Sequence, residues 1–120
     1  MIFDFFDNFA GKKGVLFKFK DTGRFDIMAA KVRKHVYISG RVQGVGFRAF
    51  TTRAAHSLGV NGWVKNLSDG RVEAVFSGSK EQVEKILGQV KEGPSFAKVD
   101  DIEVMDENYK GEYSSFEVKY

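Results

Sequence analysis

The stretch Gly40-Arg41-Val42-Gln43-Gly44-Val45-Gly46-Phe47-Arg48 combines the residue types best suited to gripping an anion. Its three glycines let the backbone fold tightly where an alternating strand pattern ends, and a helical period begins at Phe47. Successive N–H groups in such a loop can converge on one point, and the helix N-terminus adds roughly half a positive charge there. Arg48, in the first helical turn, can swing its planar fork onto the same point and hold two phosphate oxygens at once. The chemistry implied is a cradle for a phosphate-sized dianion. The loop is not a Walker A sequence, because no Gly-Lys-Ser/Thr follows. It is not G-x-G-x-x-G either, because Ala49 stands where the third glycine should be.

Other chemistries are poorly supplied. The chain has no cysteine, which excludes a disulfide scaffold, a thiolate zinc site, an iron–sulfur cluster and a cysteine nucleophile. His35 and His56 fall in no motif, and the acidic stretch Asp100–Glu107 has no calcium-loop spacing and reads as a solvated face and turn. No apolar run approaches the roughly 18 residues of a membrane-spanning helix. With no export or anchoring signal in Met1–Ala10, a soluble cytoplasmic protein is the expectation. The net charge of +3 is unevenly spread: residues 31–60 carry Lys31, Arg33, Lys34, Arg41, Arg48 and Arg53 with no Asp or Glu. The half that follows is net acidic, so the charge points to a local anion site more than to a general polyanion surface.

The elements that must position the loop can be read from periodicity. His35–Arg41 alternates as a strand, and Phe47, Phe50, Ala54 and Leu58 mark one face of a helix closed by Gly59. Val60–Asn66 alternates again, a turn passes through Asp69-Gly70, and Arg71–Ser77 returns as a strand. Ser79 with Gln82 forms a capping-box pattern ahead of the helical stripe Val83, Ile86, Leu87 and Val90, which Gly93-Pro94 stops. Ala97–Met105 and Ser115–Tyr120 are further strands, split by the polar loop Asp106–Glu112. The order β-α-β-β-α-β plus a short last strand predicts an α+β, ferredoxin-like split-βαβ sandwich. Two helices cover one face of an antiparallel sheet in that arrangement. At 120 residues only one such core fits, assigned to residues 31–120. Residues 1–30 hold seven of the twelve Phe and stand apart as an extension. They read as a hairpin packing on the domain or on a partner chain, and so as a route to self-association, or as a tail; a membrane-surface segment fits least.

Gly40–Arg48, followed by Gly62-Trp63-Val64-Lys65-Asn66 and Asp69-Gly70, resembles the two signature segments of the acylphosphatase family. The likeness continues through Arg71-Val72-Glu73-Ala74 and Gly93-Pro94 and covers about residues 34–120. It implies the ferredoxin-like fold and hydrolysis of the carboxyl–phosphate bond of acyl phosphates, without a metal or a cofactor. Inorganic phosphate would be product and inhibitor. By resemblance Arg48 is the phosphate-binding catalytic arginine, and the backbone amides of Val42, Gln43, Gly44, Val45, Gly46 and Phe47 form the phosphate loop. Asn66 positions the attacking water. An asparagine suits that role, since its carbonyl accepts and its NH2 donates without adding negative charge beside a phosphate. In some relatives a terminal carboxylate pairs with the arginine, which here would be that of Tyr120. Trp63 is expected to pack structurally.

Two other classes compete with this reading. A nucleic-acid-binding module is compatible with the fold, but Arg71-Val72-Glu73-Ala74-Val75-Phe76 is a poor match to an RNA-binding aromatic motif and the second half is acidic. No nucleic-acid or membrane partner is therefore expected. A non-catalytic descendant, like the acylphosphatase-like domains inside larger carbamoyl-handling maturation proteins, is disfavoured because Arg48 and Asn66 are both in place.

Overall fold

The computed structural model describes residues 30–120. The readings of residues 1–30 as a hairpin, a tail or a means of self-association lie outside the described residues, Ala30 apart. The chain runs β1 (Lys31–Arg41), α1 (Phe47–Leu58), β2 (Asn61–Asn66), β3 (Val72–Ser79), α2 (Lys80–Glu92), β4 (Lys98–Glu107) and β5 (Phe116–Lys119). The strands form one sheet in the order β4-β1-β3-β2-β5.

Period-two alternation sorts each strand into two faces. Val36 and Ile38 of β1, Val64 of β2, Val72, Ala74 and Phe76 of β3 and Phe116 of β5 are buried in one core with Phe47, Ala54 and Ala55 of α1 and Val83, Ile86 and Val90 of α2. Each large side chain so buried contributes about 1.5–3 kcal/mol. The helix ends follow the expected chemistry. Ser79 Oγ accepts from the Gln82 N–H at 3.2 Å and donates to Gln82 Oε1 at 2.8 Å, while Gly59 and Gly93 close α1 and α2 with positive φ.

The expected sandwich is present with one difference. β1, β3, β4 and β2 pair antiparallel, but β5 lies parallel to β2. Chain direction explains it. β1 and β2 both run antiparallel to β3 and so point the same way, whereas β4 runs opposite to them. The chain leaving β4 can only return in the β1 direction, and the opposite edge, beside β2, is where it pairs. Four strand spacings make about 19 Å, within the reach of residues 108–115. The C-terminal ends of β1, β2 and β5 consequently meet at one end of the sheet. β2 also needs Gly62: a Cβ there would stand 1.9 Å from the Val75 carbonyl oxygen, at φ 133°. No side chain fits.

Much of the basic excess of β1 is answered by β4. Arg33 pairs with Glu107, at 2.8 Å, and with Glu112, and Lys34 pairs with Asp106. Glu107 thus belongs to an ion network at the end of a longer β4 and not to a freely solvated turn. His35 sits on the face away from the helices, its Nδ1 2.8 Å from Glu107 and its Nε2 2.6 Å from Glu73. It stacks on Tyr37 and meets the edge of Trp63. Across the ladder His35 and Trp63 both pair with Val75, which lies buried between them.

A neutral imidazole has one N–H and would turn a lone pair toward one of the two carboxylates; only the imidazolium satisfies both. Burial works against the charge, but the hydrogen bonds and fields of Glu107 and Glu73 outweigh it, and the pKa rises above the ordinary 6.5. Because the folded value is the higher, this contribution is complete below pH 6.5 and is lost as pH climbs through the raised value. The hydrogen bond from His35 leads in lowering the Glu107 pKa, so that carboxylate's contribution is lost only in acid. Thermal melts from pH 5.5 to 8.5 should therefore show the wild-type Tm falling relative to that of His35→Gln as the pH rises. Parallel curves for the two proteins would refute a charged His35 held between Glu107 and Glu73.

Candidate active site

The loop between β1 and α1 is held by its side chains. Val42 and Phe47 are buried in the core and Val45 packs against it. Gln43 turns the other way, its Nε2 donating to the carbonyls of Leu67 at 2.8 Å and Arg71 at 2.9 Å. Gly44 and Gly46 adopt φ of 74° and 78°, and a Cβ on either would meet nothing within 4 Å. Every non-glycine side chain from Val42 to Phe47 is thus anchored, and both glycines face open space. The left-handed conformation required at Gly46, immediately before α1, favours glycine by about 1–2 kcal/mol. Among the described residues, no carbonyl or side chain accepts from the N–H groups of residues 43–47. These donors remain available at the N-terminus of a twelve-residue helix.

Asn66 is the last residue of β2 and pairs with Val72. It lies two positions beyond the buried Val64 and so shares the face covered by the helices. Phe116, Val118 and Tyr120 alternate to the same face of β5, and the Lys65–Lys119 pairing leaves Asn66 and Tyr120 as the next residues of the two parallel strands. Arg48 follows the buried Phe47 in the first turn of α1. These placements converge. A cavity of about 250 Å³ is lined by Val42, Gly44, Gly46, Phe47, Arg48, Ala49, Asn66, Val118 and Tyr120.

The structure therefore brings together Arg48, Asn66 and four of the six loop residues singled out from the sequence. Gln43 and Val45 do not line the cavity. Their side chains are spent on holding the loop, a division that alternation alone does not show in an irregular segment. Ala49 and Val118 also line the cavity although no motif singles them out; the phase of Phe116, Val118 and Tyr120 is the signal available for Val118.

Two features of the polar groups matter. Among the described residues, no group of the protein donates to the buried Oδ1 of Asn66. Among the described residues Arg48 makes no ion pair. The expected pairing with a carboxylate at Tyr120 is replaced by a contact with the ring, whose centroid lies 5.1 Å from the guanidinium carbon. The parallel run of β5 delivers the side chain of Tyr120 to the guanidinium. Tyr120 is 96% exposed, so the contact falls at the weak end of cation–π interactions, about 0.5–1 kcal/mol. Tyr120→Ala should accordingly weaken inorganic phosphate binding about 2- to 5-fold, and Tyr120→Phe should leave it unchanged; equal losses in both, measured by competitive inhibition, would contradict a ring contact. No group of three His, Cys, Asp or Glu able to hold a metal ion occurs among the described residues.

An acylphosphatase family model matches residues 34–118 of this chain. The chain belongs to the acylphosphatase family. The acylphosphatase of Syntrophobacter fumaroxidans is 48% identical over 90 residues, covering 75% of this chain and 93% of that protein. The crystal structure of the Bacillus subtilis acylphosphatase superposes with a TM-score of 0.72 at 37% identity, over 74% of this chain and 99% of that one. HypF of T. kodakarensis gives a TM-score of 0.67 at 34% identity, over 74% of this chain but 12% of that chain. The cavity is thus part of an acylphosphatase, an enzyme that hydrolyses the carboxyl–phosphate bond of acyl phosphates to carboxylate and inorganic phosphate.

Proposed function

We propose that Arg48 and the backbone amides of residues 42–47 bind the phosphoryl dianion, and that Asn66 holds the attacking water, with no metal taking part. What carries this reading is that, among the described residues, the buried Oδ1 of Asn66 has no donor and Arg48, which lines the same cavity, has no ion-pair partner. A buried carbonyl oxygen that no described residue engages is suited to accept from a water. The water oxygen bonds to phosphorus as the bond from phosphorus to the carboxyl oxygen breaks; the carboxylate departs with its electron pair, and one water proton passes to a phosphoryl oxygen of the product. A carboxylate leaves readily, so no general acid is needed on the departing oxygen. What the protein supplies is position and charge stabilisation, as in phosphoryl transfer generally. The proposed setting is the cytoplasm, with a small acyl phosphate as partner and inorganic phosphate as product and competitor.

The test follows hydrolysis of a synthetic aromatic acyl phosphate in EDTA, with and without inorganic phosphate. Turnover should survive chelation and fall competitively with phosphate. Complete dependence on an added metal would defeat the reading.

A further inference from the structure

The side chain of Gln43 has a geometry that phosphate binding does not explain. Both hydrogens of its amide group are used, one on the Leu67 carbonyl and one on the Arg71 carbonyl. These two carbonyls flank the β2–β3 turn, itself closed by Leu67 N–H to the Arg71 carbonyl at 2.8 Å and Gly70 N–H to the Leu67 carbonyl at 3.2 Å. Leu67 directly follows Asn66. One carboxamide therefore joins the loop that approaches the anion to the strand end that carries the asparagine. We infer that Gln43 is a positioning residue: its side chain fixes the separation between the phosphate loop and Asn66, and so the alignment of the attacking water with phosphorus.

The inference rests on the proposed role of Asn66. Each carbonyl keeps a second donor when Gln43 is removed, since Gly70 N–H still serves Leu67 and Leu67 N–H still serves Arg71. The turn and the fold should consequently survive the substitution, while the spacing loosens. Misplacement by about 1 Å can cost on the order of 100-fold in rate.

The experiment is a double-mutant cycle in kcat, with inhibition by inorganic phosphate measured in every variant. Gln43→Ala should lower kcat about 10- to 100-fold and change the phosphate inhibition constant less than about 3-fold. In an Asn66→Ala background the same substitution should cost less than about 3-fold, because the residue it aligns is gone. Gln43→Glu gives a second readout. Its carboxylate cannot donate to a carbonyl, but the protonated acid can, so its kcat relative to wild type should climb as pH falls from 7 toward 4. A kcat within 2-fold of wild type for Gln43→Ala would overturn the inference, as would a loss fully additive with Asn66→Ala, a parallel loss of phosphate affinity, or a flat Gln43→Glu ratio. If Asn66→Ala alone kept normal turnover, the underlying reading would fail instead, and that result is separately visible.

Discussion

Replacing Arg48 by alanine is expected to lower kcat/KM by about 10³-fold or more and to remove competitive inhibition by inorganic phosphate. Loss of a single well-aimed donor to a developing charge costs about 10²–10³ in rate. Arg48 offers two donors and a full charge, and among the described residues it has no ion-pair partner and stands beside loop amides that no carbonyl engages. Binding and transition-state stabilisation should therefore fail together. Arg48→Lys keeps the charge but not the planar fork, and an ammonium on a flexible stem cannot span two phosphoryl oxygens. We expect it to regain less than about 10-fold of the loss. Steady-state kinetics with phosphate as competitor decide the matter. Turnover and phosphate inhibition near wild type in Arg48→Ala would remove the guanidinium from the mechanism.

The second large effect separates binding from chemistry. Asn66→Ala should lower kcat about 10²- to 10³-fold while the phosphate inhibition constant stays within about 3-fold of wild type, because the loop and Arg48 are untouched. Because no described residue donates to Asn66 Oδ1, the substitution should leave the Tm close to that of the wild type. Asn66→Asp should be as inactive and should also weaken phosphate binding, since a carboxylate beside the dianion repels it. Near-normal kcat in Asn66→Ala would show that the water is positioned by something else.

The parts of this molecule most legible in its sequence are those where local chemistry acts alone. The Ser79–Gln82 cap, the glycine stops at Gly59 and Gly93, and the alternation of Val36 and Ile38 or Val72, Ala74 and Phe76 each follow from a few neighbouring residues and appear as expected. The site residues Arg48 and Asn66 could be named from the two motif segments, and their convergence follows from β1 and β2 pointing the same way. What periodicity did not disclose depends on distant partners. β1 begins at Lys31, four residues before the alternation is clear, because Ser79 and its neighbours on β3 extend the ladder. The charge run in residues 31–60 read as an anion site, yet Arg33 and Lys34 are matched by acids some seventy residues away on β4. The direction of β5 and the ring of Tyr120 beneath Arg48 likewise follow from topology, and the hydrogen bonds of Gln43 join residues no local rule connects.

The central claim is that the loop amides and Arg48 hold a tetrahedral dianion while Asn66 aims a water at its phosphorus. A crystal structure of the wild-type protein with inorganic phosphate bound tests it most directly. The account predicts phosphate oxygens within hydrogen-bond distance of amides from the residue 42–47 loop and both arms of Arg48, with Asn66 Oδ1 accepting from a water on the open side of the phosphorus. Phosphate bound elsewhere, or bound in the cradle with Asn66 out of reach of any water facing the phosphorus, would contradict it.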